Sequence, residues 1–276
     1  MTKSFERETI IEATSPWKPF DFAEIARYRD LFYFKILNGY KAQHRQTVLS
    51  YLWVILEPLV NIAFFAIVFG RLAGIDTGDT PYAAFNASVM AGWSLLSVGL
   101  SGAVLSLNAE ADLLQKIYFP RIYIPVIPTI VNFPNFLIQL FCTGIVLAYF
   151  RIYPGWQIIF IIPVILCNTI LVTAAGLLLS TFFVQLKDLA KVFPFFMRFY
   201  QYSLPIVYPL SLVPEKYRWL YELNPGVPII EGMRASLLGT PMPWFSLGVT
   251  TLCSLVILYI GAVVFRLREP NIVDAI

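Results

Sequence analysis

Hydrophobic residues along this chain come in long unbroken runs. Charged residues are so sparse that the gaps between them outline those runs. Thr80 to Ala109, Ile122 to Phe150, Ile152 to Leu186 and Ala235 to Phe265 carry no charge. Gln46 to Gly70 contains only Glu57, and Val192 to Pro214 only Arg198. Each run is long enough for a helix that crosses a bilayer, which takes about 20 apolar residues. The pattern predicts six spans, near 48–70, 83–106, 123–149, 157–183, 193–212 and 244–265. Barrel strands are excluded, because they would alternate apolar and polar residues over about ten positions. Prolines inside the runs, Pro58, Pro125, Pro128, Pro134, Pro163, Pro194, Pro205 and Pro209, predict kinked helices whose freed carbonyls are satisfied by neighbouring helices.

Composition agrees. Of 276 residues 58% are apolar and 13% charged, with mean hydropathy +0.70. A soluble domain has about twice that charge, so an all-α integral membrane protein is expected. Six spans place both ends of the chain on one side. That side also holds Lys116, Arg121, Lys187, Lys191, Arg198, Arg266 and Arg268, besides the basic residues before the first span. The opposite side holds Arg71, Arg151, Lys216, Arg218 and Arg234. Positive residues stay in the cytoplasm, so both termini are expected there, in the inner (cytoplasmic) membrane. This bias explains the net charge of +3 without nucleic acid as a partner. No cleavable signal peptide is expected in the polar first 47 residues. Cys142, Cys167 and Cys253 lack metal or disulfide spacing and fall within spans, so they read as small apolar fillers. The lone His44 reads as solvated or headgroup-facing.

Three segments outside the plain spans carry information. Residues 21–45 read as an amphipathic helix in the membrane interface. Asp21 and Glu24 stand in a capping-box relation, Phe22, Ile25, Tyr28, Phe32, Ile36 and Tyr40 share one face, and charged residues share the other. This helix is either an anchor or a docking surface. Asn108 to Arg121 mixes Glu110, Asp112 and Lys116 with Leu113, Leu114, Ile117 and Phe119 before Pro120 stops it. Such a segment suits a groove on another protein, or a turn packed on its own bundle. Val213 to Pro243 holds two short amphipathic pieces around Asn224-Pro225-Gly226, with Glu231 and Arg234 in the second. Each piece is too short to cross, so the pair forms re-entrant half-helices or an outer loop.

The chain has no G-x-x-x-x-G-K-[ST] phosphate loop and no His, Cys or carboxylate cluster for a metal. No catalytic residue and no cofactor are expected in it. Glu57 is the one clear intramembrane acid. It faces a polar cavity, pairs with Arg198, or serves ion coupling. Aromatic residues make up 16% of the chain. Those inside spans, including Phe65, Phe69, Trp93, Phe199 and Tyr202, either pack and meet lipid or offer flat faces to sugar rings. A membrane enzyme acting on lipid-linked sugars and an ion-coupled transporter are the alternatives to a conduit driven by another chain.

Leu49-Ser50-Tyr51-Leu52-Trp53-Val54-Ile55-Leu56-Glu57-Pro58 resembles the start of the first span in ABC-2 type permeases that export polysaccharide. Phe119-Pro120-Arg121, Leu223-Asn224-Pro225 followed by Glu231 and Arg234, and Phe265-Arg266-Leu267-Arg268-Glu269 are similar to that family too. The likeness runs from about residue 20 to the end, and Ser50 stands where the family often has Gly. The resemblance implies a permease for O-antigen, capsule or teichoic acid. Two copies of it would work with two ATP-binding subunits that hold ATP and Mg, and a lipid-linked glycan would pass between the permeases. Asn108, Glu110, Asp112, Lys116, Phe119, Pro120 and Arg121 then correspond to the ATPase-coupling segment. Phe65, Phe69, Trp93, Phe199 and Tyr202 become candidates for the glycan channel. Asn224, Pro225, Gly226, Glu231 and Arg234 fall in the re-entrant segment. The expected organisation is a cytoplasmic segment 1–47, a six-span domain 48–265 and a cytoplasmic tail 266–276.

Overall fold

The structure, a computed structural model, describes residues 26–44, 49–115 and 119–275, and among these it is helical with no strands. Helix α1 is Arg29–His44 and α2 is Leu49–Phe65, which widens into a π-helical stretch, Ala66–Leu72. Then come α3 (Tyr82–Ala109), a one-turn α4 (Ala111–Leu114), α5 (Ile127–Val131) and α6 (Phe133–Tyr149). They are followed by α7 (Ile161–Phe183), α8 (Lys187–Ser203), α9 (Glu215–Glu222), α10 (Gly226–Leu238) and α11 (Trp244–Ala275). Residues 21–25 and 45 of the expected interface helix, and Lys116, lie outside the described residues.

Among the described residues five segments are long and apolar enough to cross a membrane: Leu52–Leu72, Tyr82–Ala109, Arg121–Tyr149, Trp156–Phe183 and Trp244–Pro270. Each coincides with a span read from the sequence. The expected fifth span differs. Its helix, α8, has 17 residues and ends at Ser203, and the chain continues without helix to a short 3-10 turn at Leu210–Leu212. Two prolines explain the break. Pro205 and Pro209 have no N–H to continue a helical ladder, and Pro205 pushes Leu204 into an extended conformation (φ −100°, ψ 153°).

Helix α3 is the centre of the bundle and packs against α7, α6, α10 and α8. In α3 61% of the most apolar window is buried, against 11% in the first span. Small residues allow the close approach. A Cβ on Gly176 of α7 would stand 2.5 Å from the Cβ of Ala103 on α3, so only glycine lets these backbones meet. Polar side chains tie the same core together: Asn168 Nδ2 donates to the Gly92 carbonyl (2.9 Å) and Thr143 Oγ1 to that of Ala87 (2.9 Å). Helix α2 sits at the periphery, with Trp53, Val60, Phe64 and Ile67 exposed. Its internal Pro58 cannot donate to Val54, and after Phe65 the ladder loosens until the Ala73 N–H reaches the carbonyl of Val68 five residues back (2.9 Å).

The expected tail is helical through residue 275. Helix α11 runs unbroken from Trp244 to Ala275, past Arg266. The interface helix also finds a partner inside the chain: Phe32, Ile36 and Tyr40 of α1 pack on the bundle, and Gly39 lies close against Val131 of α5. Tyr33 and Phe34 on α1 remain exposed.

Candidate functional site

A cavity of about 510 Å3 opens between α2, α3, α6 and α8. Its apolar wall includes Val54, Pro58, Phe65, Met90 and Trp93, and its polar wall includes Asn61, Ser94, Ser97, Asn132, Asn135, Gln139 and Gln201. The amides converge by helical geometry. Asn132, Asn135 and Gln139 recur at i, i+3 and i+7 at the start of α6 and so share one face, while Asn61 comes from α2 and Gln201 from α8. Asn135 Nδ2 donates to Asn132 Oδ1 (3.0 Å), and the buried Asn132 Nδ2 finds no partner among the described residues. Glu57 is the one charged residue in the lining. It is exposed and lines this cavity, and among the described residues no ion pair joins it to Arg198.

The five channel candidates separate here. Phe65 and Trp93 line the cavity and are 8% exposed each. Phe69 stacks on Phe65 behind it (centroids 5.5 Å apart). Phe199 and Tyr202 are on the outer surface of α8, where Phe199 contacts Phe195 (4.7 Å). Helix α8 is amphipathic: Ala190, Phe193 and Met197 are buried, whereas Phe195, Phe196 and Phe199 are exposed.

An irregular stretch follows α8, a few residues after the lining residue Gln201. Leu204, Ile206 and Val207 are buried, so their backbone needs partners within the protein. Three side chains supply them. Arg234 Nη2 donates to the Pro205 carbonyl (2.6 Å), Asn86 Nδ2 to that of Ile206 (3.3 Å) and Tyr82 Oη to that of Val207 (2.7 Å). Arg234 is 4% exposed, pairs through Nη1 with Glu231, and lies over the Phe85 ring at 3.9 Å. Burial lowers its pKa and the adjacent Glu231 carboxylate opposes that fall. The Asn224-Pro225-Gly226 turn joins the same region. Asn224 Oδ1 accepts from Tyr200 Oη (2.6 Å) and from the Gly226 N–H (3.0 Å), and Tyr200 stands 6.1 Å from Trp93, centroid to centroid. The structure thus brings Trp93, Asn224, Gly226, Glu231 and Arg234 into one neighbourhood.

At the other end of the bundle the predicted coupling residues are spread over several contacts. Asn108 Nδ2 donates to the Phe183 carbonyl (3.3 Å), fastening the end of α3 to that of α7. Glu110 pairs with Lys35 of α1. Asp112 is on the one-turn α4. Phe119 is only 2% exposed and packs among residues of α1, α3 and α11. Pro120 is buried beside it, and Arg121 faces Glu269 of α11 (3.9 Å), which also accepts from Arg266 (3.1 Å). Phe119 is therefore an internal anchor. Sequence reasoning missed the pairings of Lys35 and Glu269 that hold this end together, and the Asn132-Asn135-Gln139 stripe, whose helical spacing inside an apolar run was its visible signal. Among the described residues no group of three His, Cys, Asp or Glu could hold a metal ion.

The sequence profile of the ABC-2 type transporter family matches residues 32–238, well over half of the chain. This chain belongs to the ABC-2 type transporter family. It is 22% identical over 256 residues to the O-antigen export system permease protein RfbA of Myxococcus xanthus, covering 92% of this chain and 98% of that one. A Klebsiella pneumoniae protein of the same name is 22% identical over 231 residues, 82% of this chain and 87% of the relative. The polysialic acid transport protein KpsM of Escherichia coli is 24% identical over 234 residues, 80% of this chain and 86% of KpsM. The matched region takes in the cavity, the Phe119-Pro120-Arg121 anchor and the Arg234 contacts.

Proposed function

We propose that this chain is the transmembrane permease subunit of an ABC transporter that exports a lipid-linked polysaccharide. The observation that carries the reading is the amide- and aromatic-lined cavity among α2, α3, α6 and α8, inside a bundle whose family relatives export O-antigen and polysialic acid. Sugar rings present hydroxyl edges and apolar faces, and amides and Trp93 are their complements. The one carboxylate in the lining gives glycoside chemistry no acid pair, so passage fits the cavity better than catalysis.

Two copies assemble around the path. The exposed apolar residues of α2 and α8 flank the cavity mouth and supply the surface for the second copy. Two ATP-binding subunits, holding ATP and Mg, dock where Asn108 to Arg121, α1 and the end of α11 meet. Their closure pulls on the Lys35–Glu110 and Arg121–Glu269 contacts. The chain crosses the inner membrane six times with both termini in the cytoplasm. The fifth crossing is α8 plus the stretch after it. Seventeen helical residues rise about 25 Å, and the turn and bend residues 204–208 that follow complete a hydrocarbon core of about 30 Å. Helices α9 and α10 form the re-entrant pair.

The test is coexpression with the ATP-binding subunit, copurification, and transport of a lipid-linked glycan in proteoliposomes. ATP-dependent glycan transfer by the complex, and no ATP hydrolysis by this chain alone, is the expected result. A chain that binds no ATP-binding subunit, or that hydrolyses ATP unaided, would refute the proposal.

A further inference from the structure

The lining of the cavity specifies the kind of sugar. Its polar groups are overwhelmingly neutral amides and hydroxyls, and they come from four separate helices. An amide both donates and accepts, as a sugar hydroxyl does, so a ring of amides can match a hydroxyl-bearing ring without any net charge. Asn132 is 1% exposed and its Nδ2 has no partner among the described residues. A buried donor without an acceptor is costly, and a turn of this amide toward the cavity that Asn132 lines would let a hydroxyl or acetamido oxygen remove that cost. The Trp93 indole and the Phe65 ring supply flat apolar area beside the amides.

Charge selects further. Among the described residues no Lys or Arg lines the cavity, and its single ionisable group is the acidic Glu57. Arg198, one turn before Gln201 on α8, is exposed and outside the lining. A polyanion, whether a chain of sialic acids or of phosphodiesters, would bring its charges next to Glu57 with no cation in the lining to compensate. We infer that this cavity is a subsite for uncharged sugar units (hexose, deoxyhexose or N-acetylhexosamine) of the exported chain. Its volume suits a short stretch of sugar, within the range of small-ligand sites. The inference rests on the export reading and narrows it.

The experiment uses the complex of this chain with its ATP-binding subunit in proteoliposomes, with lipid-linked mannan and lipid-linked polysialic acid as probes. The readout is glycan-stimulated ATP hydrolysis against glycan concentration. Mannan is expected to act at a concentration at least about tenfold lower than polysialic acid. Asn132→Leu is expected to raise the half-maximal mannan concentration about tenfold, the consequence of one lost buried hydrogen bond. Asn61→Leu, on the exposed and loosely packed α2, removes another amide without disturbing the core and is expected to shift the mannan curve the same way. Glu57→Lys is expected to bring polysialic acid within range. Equal response to both glycans, or an unchanged mannan curve in Asn61→Leu, overturns the neutral-sugar assignment while export itself stands. Silence to both glycans in a complex that binds ATP overturns the export reading and this subsite together.

Discussion

Replacing Arg234 by methionine removes three contacts while keeping a side chain of similar length. The Pro205 carbonyl loses its side-chain donor, Glu231 loses its ion-pair partner, and the Phe85 ring loses the guanidinium above it. Hydrogen bonds to a charged group contribute about 1.5–3 kcal/mol each, and a desolvated cation over a ring adds roughly 1–2 kcal/mol. Recovered desolvation offsets part of this, so the net loss falls near the 3–5 kcal/mol typical of a buried pair broken on one side. At about 2–3 °C per kcal/mol for a domain of this size, the detergent-solubilised protein is expected to melt roughly 6–15 °C lower. Arg234→Lys keeps the charge but not the fork that reaches Glu231 and Pro205 at once, and is expected to recover less than half of the loss. Glu231→Gln combined with Arg234→Met is expected to cost less than the sum of the single variants by about 1 kcal/mol or more. Melting of Arg234→Met within about 2 °C of the parent, or additive single variants, would refute the view that Arg234 fastens the stretch after α8.

Gly226→Ala puts a Cβ 2.7 Å from Tyr200 Oη and 2.8 Å from Leu204 Cδ2; a loss of about 1–3 kcal/mol from overpacking is expected, read by thermal melting. Phe119→Ala empties a buried aromatic position shared by α1, α3 and α11 and is expected to destabilise by about 3–5 kcal/mol, while membrane insertion, followed by fractionation, persists. Lys35→Ala and Glu110→Ala interrupt a partly exposed pair (15% and 35%). A double-mutant cycle on the melting temperature is expected to return a coupling of about 1 kcal/mol or less. In the assembled transporter the same two variants are expected to reduce glycan-stimulated hydrolysis more than they reduce stability.

The spans were legible because a bilayer demands one simple thing, an uninterrupted apolar run, and five such runs fold into the helices foreseen. The fifth expected span shows where that logic weakens. Its apolar count includes Leu204, Ile206 and Val207, which are buried against α3 and α10 as irregular backbone. Only the distant donors Arg234, Asn86 and Tyr82 make that arrangement tolerable. Distant pairings of this kind have no local signature. The same holds for Lys35 with Glu110 and Arg121 with Glu269, which join segments far apart in the chain. The aromatic candidates were legible as residues but not as positions, since a run apolar on all sides does not tell which face meets lipid. Phe65 and Trp93 face the cavity while Phe199 and Tyr202 do not. The better marker of the cavity was polar: Asn132, Asn135 and Gln139 at helical spacing within an apolar segment.

Helix α3 connects these sites. Its 28 residues extend about 42 Å. At one end it precedes Glu110, which holds α1 through Lys35. At its middle, Met90, Trp93, Ser94 and Ser97 form one wall of the cavity. At the other end Tyr82 and Asn86 hold the carbonyls of the stretch that follows α8. Its close contact with α7 at Ala103 and Gly176 leaves no room for one to slide freely past the other. In the proposed exporter, a push delivered at the Glu110 end therefore moves α3 and α7 as one body, shifting the Trp93 wall and the Pro205 to Val207 stretch together. The more weakly packed α2 and α8 are then the elements free to part. This ordering is testable by cysteine pairs. A disulfide between α3 and α7 at positions 99 and 172, where a Cβ on residue 99 would stand 3.1 Å from Cγ1 of Val172, is expected to leave transport intact, whereas one joining α2 to α8 across the cavity mouth is expected to stop it.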